Sequence, residues 1–274
     1  MPLPEFAGLS DLHVHSQFSC DGRATMEAIC RRAIVLGLSS IAFTDHVDLE
    51  PQDAGFGFFE PAAYLTEVER CRALFAGQLT ILSGVEIGEI HRFSQEADAM
   101  LSRHAFDLVI GSLHWVDGTL VFDRRYFERR PADQAYRAYL AELLPMCRHG
   151  GFDVLGHLDI VKREGALKPS EFSIDRYEDE ARAVLEILVQ KGIGLEINTS
   201  TLGRPVNQTS PTGTVLEWYR QLGGELLTLG SDAHGIDDLA AGFSSAVELV
   251  RAAGFRYFTI YTDRQPHFHP LEAL

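Results

Sequence analysis

The sequence predicts a parallel α/β barrel, and three observations carry that prediction. Short β-rich runs alternate with amphipathic helical stretches, no glycine-rich phosphate fingerprint marks an open doubly wound sheet, and the length suits one barrel. Repeated β-then-α units imply a parallel sheet covered by helices. The 274 residues would make two average domains, but α/β barrels run to about 250 residues as one unit. With no linker, repeat or low-complexity tract, residues 1–274 read as a single barrel domain.

The elements follow in order. Strands are expected near residues 9–14, 40–44, 79–87, 108–113, 154–158, 194–198 and 226–230. Helices are expected between and after them, near 25–36, 61–76, 94–104, 133–149, 174–191, 212–222 and 238–252. A last run over 257–261 reads either as an eighth strand or as part of a terminal extension. The helix over 174–191 shows the period well. Ile174, Tyr177, Ala181, Val184, Leu185 and Leu188 recur at three- and four-residue steps, while Arg176, Glu178, Asp179 and Arg182 fill the other face.

Composition narrows the function. The chain is 46% hydrophobic and 23% charged, which supports a large core in an ordinary globular protein. No apolar run approaches the roughly 20 residues needed to cross a bilayer, so no membrane partner is expected. The start, MPLPEFAGLSDLH, has no basic region followed by an apolar stretch, which argues against a secretory signal and for the cytoplasm. Cys20, Cys30, Cys71 and Cys147 have no CxxC spacing and fit free thiols in a reducing compartment. A formal net charge of −15 repels polyanions, so no nucleic-acid partner is expected. A small anionic substrate remains compatible where metals and a few arginines reverse the local potential. No sequence feature sets an oligomeric state.

The informative pattern is where histidines and carboxylates fall. A parallel barrel carries its active site at the C-terminal ends of its strands. The first run ends in DLHVHS, with His13 and His15, and the second in FTDH, with Asp45 and His46. The third ends in GVEIG, with Glu86, and the fourth in GSLHW, with His114. The fifth ends in GHLD, with His157, and the seventh in GSDAH, with Asp232 and His234. Alternate residues of a strand share a face, so His13 and His15 can reach one ion. Imidazoles mixed with carboxylates suit Zn²⁺, Fe²⁺ or Mn²⁺ better than Mg²⁺ or Ca²⁺. These side chains exceed the shell of one ion, so at least two metals are expected, with Glu86 as a natural bridge. The remaining histidines read differently. His104 and His149 suit helix C-termini, His91 could line the pocket, and His267 and His269 belong to a polar surface tail.

The segments DLHVHS, FTDH, GVEIG, GSLH, GHLD and GSDAH, in this order and spacing, resemble the PHP (polymerase and histidinol phosphatase) superfamily over about residues 9 to 235. FTDHVDLEP, IGSLHWVDG, and EINTSTLGRP followed by Pro211 resemble its histidinol-phosphate phosphatase branch. The resemblance implies a distorted (β/α)7 TIM-like barrel with a trinuclear site and hydrolysis of a small phosphorylated substrate. It implies a first metal on His13, His15, Glu86 and Asp232, with Glu86 bridging to a second on His114 and His157. A third would lie between His46, His234 and a residue of the first loop, where several members carry histidine and this chain has Asp21. Aspartate gives that site harder character, favouring Mn²⁺ or Fe²⁺ over Zn²⁺.

In such a site, metal-bound water has its pKa lowered towards roughly 7 and supplies the nucleophile. Arg163 and Arg204, in segments that begin where strands end, are the candidates for phosphate binding, and Lys162 is a weaker one. Asp45, Asp232 or a metal-bound water could protonate the leaving group. Asp48, Glu50 and Asp117 could meet a substrate ammonium, and Phe18, Phe56, Phe58 and Trp115 either wall an imidazole or pack loops. Rival readings are a phosphoesterase for nucleotides, phosphotyrosine or sugar phosphates, an amidohydrolase barrel, and a metal module attached to nucleic-acid enzymes. The amidohydrolase barrels usually bridge their metals with a modified lysine, where this chain offers Glu86. The acidic charge disfavours the last.

Overall fold

The seven expected runs all form strands in the computed structural model, which describes residues 6–164 and 173–271. They are β1 (Ser10–Val14), β2 (Ser40–Val47), β3 (Thr80–Gly88), β4 (Leu108–Ser112), β7 (Val154–Leu155), β8 (Gly194–Asn198) and β9 (Leu227–Gly230). A small hairpin, β5 (Trp115–Val116) and β6 (Thr119–Leu120), interrupts the series after β4. The seven pair in parallel in the order β1–β2–β3–β4–β7–β8–β9. The ends then meet. Val14 bridges Ala233 in parallel, His15 N–H donates to Ala233 O at 2.8 Å, and Asp232 N–H donates to His13 O at 2.8 Å. The cylinder is distorted, because β7 pairs over two residues and the closing seam is carried by these few bonds.

Helices α1 (Met26–Leu36), α2 (Pro61–Leu74), α3 (Ser94–Leu101), α4 (Arg124–Glu128), α5 (Ala132–His149), α6 (Glu178–Lys191), α7 (Gly213–Gln221) and α8 (Phe243–Ala252) cover the strands. Local chemistry sets their ends. Thr25 accepts a hydrogen bond from Ala28 N–H at the start of α1, and Gly37, at φ 81°, takes the left-handed conformation that ends it. Several expected boundaries shift, as β2 runs on to Val47 and α3 stops at Leu101. The run over 154–158 stops pairing at Leu155, so His157 lies in the loop beyond β7. The pattern over 174–191 opens as a 3-10 turn, Ile174–Tyr177, before α6. The pattern over 238–252 becomes turns up to Gly242, because Ala240 N–H is turned inward to donate to Asp11 Oδ2 at 3.1 Å.

Strand parity divides the molecule. Ile41, Phe43, Val85 and Ile87 point outward into the core beneath the helices. Ala42, Leu82, Leu108, Ile110 and Val154 form a separate buried cluster with Leu12 inside the cylinder. β1 carries one residue more than β2 between the Asp11–Ile41 and Val14–Phe43 pairs, a bulge. The bulge lets Leu12 join the inner apolar layer and still leaves both His13 and His15 facing the mouth.

The run over 257–261 belongs to a terminal extension rather than to the barrel. β10 (Tyr257–Thr262) pairs antiparallel with β11 (Gln265–Pro270), and Ile260 and Tyr261 close the inner cluster from below. Arg264 anchors this hairpin through Asp153, at 2.9 and 3.0 Å, and Asp263 N–H reaches Asp107 at 3.1 Å. His267 and His269 are exposed on β11, far from the mouth. Among the described residues no helix is long and apolar enough to cross a membrane.

Candidate metal centre

At the C-terminal ends of the strands the structure gathers His13, His15, His46, Glu86, His114, His157, Asp232 and His234, with Asp21 reaching in from the β1–α1 loop. Glu86 stands at the centre. Its Oε1 lies 2.9 Å from His157 Nε2 and 3.5 Å from His114 Nε2. Its Oε2 lies 2.8 Å from His46 Nδ1, 3.4 Å from His13 Nε2 and 3.6 Å from His15 Nε2. Asp232 Oδ1 is 3.1 Å from His15 Nε2 and 3.7 Å from His13 Nε2. Asp21 is 3.1 Å from His234 Nε2 and 3.8 Å from His46 Nε2. Three groupings emerge: His13–His15–Asp232, Glu86–His114–His157 and His15–His46–His234. A fourth joins His46 and His114 with Asp48.

Outer contacts fix which nitrogen faces inward in three of the rings. His13 Nδ1 meets Glu196 Oε1 at 2.6 Å, so it carries the proton and Nε2 presents a lone pair. Ser19 Oγ donates to Asp45 at 2.8 Å, so it accepts from His15 Nδ1 at 3.1 Å and again leaves Nε2 as the inward lone pair. His234 Nδ1 donates to Asp232 O at 2.9 Å. Asp232 itself holds a left-handed backbone at φ 55°, a strained conformation typical of a functional position.

The donors fit divalent metals on two grounds. Among the described residues, His13 Nε2, His15 Nε2, His46 Nδ1 and Glu86 Oε2 are buried and crowd toward one another and Asp232 without a hydrogen bond of good geometry. Each such atom costs about 1–3 kcal/mol unless something binds it. The potential points the same way. Burial opposes charge on His13, yet Glu196, Glu86 and Asp232 hold its pKa well above the ordinary value. His46, likewise buried but beside Glu86, is raised to about 10. Burial also opposes charge on Glu86 and Asp232, yet the imidazoles around them keep both carboxyls well below the usual range. A site that draws protons onto buried imidazoles draws cations. His15 is the exception, lowered to about 3 by burial and by neighbouring His234 and His46, which leaves it neutral and able to donate a lone pair.

Two clefts meet over the cluster. One, of about 270 Å³, is lined by Asp48, Phe122 and Arg163 together with His46, His114, His157 and His234. The other, of about 330 Å³, is lined by Arg23, Arg163, Ser200 and Arg204, with Asp21, Asp232 and His234 shared between the two. The Arg163 guanidinium lies 3.9 Å over the Phe122 ring. Arg204 is exposed on the rim, its Nε donating to Ser200 O at 3.0 Å.

Several expectations need correction. Asp45 points outward by strand parity, is fully buried, and accepts from Ser16 N–H, Ser16 Oγ and Ser19 Oγ at 2.6–2.8 Å, so it cannot meet a leaving group. Lys162 is buried rather than surface-exposed or pocket-lining. Of the acidic candidates for an ammonium, only Asp48 lines a cleft: Asp117 pairs with Arg130 and Glu50 accepts from Gln52. Phe18 packs against the core and Tyr64, Trp115 donates to Asp53, and Phe56 and Phe58 stay exposed. His91 is engaged by Glu142 at 2.9 Å.

Sequence reasoning missed Glu196, which orients His13 and accepts from His157 N–H at 2.7 Å. Its signal was a lone carboxylate in the middle of the apolar strand GLEIN, on the inward parity. Also missed were Ser112, which donates to Glu86 at 2.5 Å, and Glu89, which accepts from His114 and Trp115 N–H.

Fold and cluster together define a β/α barrel built around a polynuclear metal centre. The chain belongs to the PHP domain family, whose model matches residues 11–200. It is 30% identical over 260 residues to a probable histidinol-phosphatase of Deinococcus radiodurans, covering 92% of this chain and 96% of that one. It is 28% identical over 254 residues to the histidinol-phosphatase of Lactococcus lactis, covering 92% and 94%. A crystal structure of histidinol phosphate phosphatase from that organism, complexed with Zn, L-histidinol and phosphate, superposes with a TM-score of 0.89 at 27% identity, over 95% of this chain and 99% of that one.

Proposed function

We propose that the chain is a metal-dependent phosphomonoesterase that hydrolyses L-histidinol phosphate to L-histidinol and phosphate in histidine biosynthesis. The observation that carries this reading is the junction of a His/carboxylate cluster with a cleft holding Arg163 and Arg204. The similarity along nearly the whole chain to histidinol-phosphatases supplies the substrate.

His13, His15, Glu86 and Asp232 would hold one ion, Glu86, His114 and His157 a second, and Asp21, His46 and His234 a third. Divalent Zn, Mn or Fe held by these residues would neutralise phosphoryl charge and lower the pKa of water towards neutrality. Glu196 and Ser19 direct the ring proton of His13 and of His15 to Nδ1, which makes Nε2 the nitrogen that would bind metal. Arg163 and Arg204 bind the phosphoryl oxygens, the stacking on Phe122 fixing the plane of the Arg163 fork. Asp232, which lines both clefts beside the cluster, is placed to pass a proton from the attacking water to the departing alkoxide. Asp48 faces the substrate ammonium. Burial raises its pKa, and a cation beside it reverses that tendency. We take residues 1–274 as one domain acting on a small phosphorylated substrate rather than on nucleic acid. The four free thiols support a cytoplasmic setting.

The test is phosphate release from L-histidinol phosphate beside a panel of other phosphomonoesters, with Zn, Mn or Fe and with chelator. Chelator-sensitive turnover with strong preference for histidinol phosphate is expected. Preference for another ester would move the protein to a different phosphatase role, and absence of turnover on every ester would overturn the reading.

A further inference from the structure

We propose that Asp159, Lys162 and Ser210 form a buried positioning network that sets Arg163 and Arg204 for phosphate binding. The proposal rests on the phosphatase reading above.

The two arginines come from separate loops. Arg163 lies in the 3-10 turn Ile160–Glu164, shortly after His157, and Arg204 lies in the loop between β8 and α7. Lys162, the residue before Arg163, is buried and donates through Nζ to Asp159 Oδ2 at 2.8 Å and to Thr209 O at 2.7 Å. The other Asp159 oxygen accepts from Ser210 Oγ at 2.5 Å. Ser210 is itself anchored, exchanging backbone bonds with Asn198 at 2.8 and 2.9 Å. The Lys162 ammonium, through Thr209 O, and the Ser210 hydroxyl, through Asp159, therefore cross-link the Arg163 turn to the end of the Arg204 loop, and the Lys162–Asp159 ion pair ties the two links together within the turn.

The Arg204 loop is braced from within and leans on that end. Thr201 Oγ1 donates to Gln208 O, Gly203 N–H to Asn207 Oδ1 at 3.0 Å, and Arg204 Nε to Ser200 O at 3.0 Å. A shift at Thr209–Ser210 is thus carried to Arg204, while a shift at Lys162 moves the adjoining Arg163. An apolar contact would hold the loops together without fixing their register. Directional bonds to a carboxylate, a carbonyl and a hydroxyl fix it. None of the three residues lines a cleft over the metal cluster, so their effect passes through the arginines.

The test uses the metal-loaded enzyme with Ser210→Ala, which removes one hydroxyl, and Asp159→Asn, which removes the charge. KM for L-histidinol phosphate and the inhibition constant of inorganic phosphate should rise by about tenfold to a hundredfold. Inhibition by L-histidinol and the metal-to-protein ratio should hold, and Ser210→Thr should restore wild-type constants. A lowered melting temperature with phosphate inhibition unchanged in both variants would reduce the network to fold stabilisation and overturn the proposal. Arg163→Ala and Arg204→Ala separate the two levels. If they weaken phosphate inhibition and the network variants do not, only the positioning role falls. If they leave it unchanged, the phosphate-binding reading of the arginines fails first.

Discussion

Five imidazoles lie within 3.6 Å of the Glu86 carboxylate, so this side chain should decide metal content more than any other. Glu86→Ala should lose bound metal and more than about a hundredfold in kcat together, whereas His104→Ala should change neither; metal analysis beside turnover checks this. Glu89 gives a pH prediction. Burial raises its carboxyl to about 7, against hydrogen bonds from His114 and Trp115 that favour the anion. A raised carboxyl pKa means the folded state keeps a proton that the unfolded chain releases, so stability falls as pH rises from about 4.5 to 7. The loss amounts to about 3 kcal/mol. Urea unfolding of Glu89→Gln, which keeps an acceptor and cannot ionise, should lack that part of the decline. At this scale the sequence exposed the histidines and Glu86, because residue type and strand-end position are both visible in it. Asp45 misled, since adjacency to His46 in FTDH does not reveal that alternation turns it outward.

At the level of elements, the site depends on strands approaching closely. A Cβ on Gly230 would sit 2.3 Å from Glu196 Oε1 and 2.5 Å from His13 Cβ. Gly230→Ala should therefore cost about 1–3 kcal/mol and displace the group that orients His13, lowering both melting temperature and metal affinity. A variant that melted like wild type with full metal content would show that β8 and β9 have slack. The β1 bulge belongs here too. Periodicity placed His13 and His15 on one face, but the extra residue that also buries Leu12 is a product of pairing with β2. The truncated start of α8 has the same kind of cause, since the helical pattern over 238–242 yields to the bond between Ala240 and Asp11.

For the molecule as a whole, the C-terminal hairpin is a plug for the barrel floor. Arg264 joins it to Asp153 beneath β7, partly open to solvent. Arg264→Ala should cost about 1–2 kcal/mol, roughly 2–6 °C in melting temperature, while KM and kcat stay at wild-type values. A change in KM would mean that the floor and the mouth are coupled.

The family, the order of the β/α units and the strand-end histidines and carboxylates were legible in the amino-acid sequence. Hydrophobic period and residue type are local properties, and a parallel barrel gives strand ends a common destination. Which neighbours orient those ligands emerges from the folded chain. Glu196 reaches His13 across 183 residues and His157 across 39, and such partners are chosen by pairing register and loop packing, while Ser19, four residues from His15, is brought to it by the turn after β1.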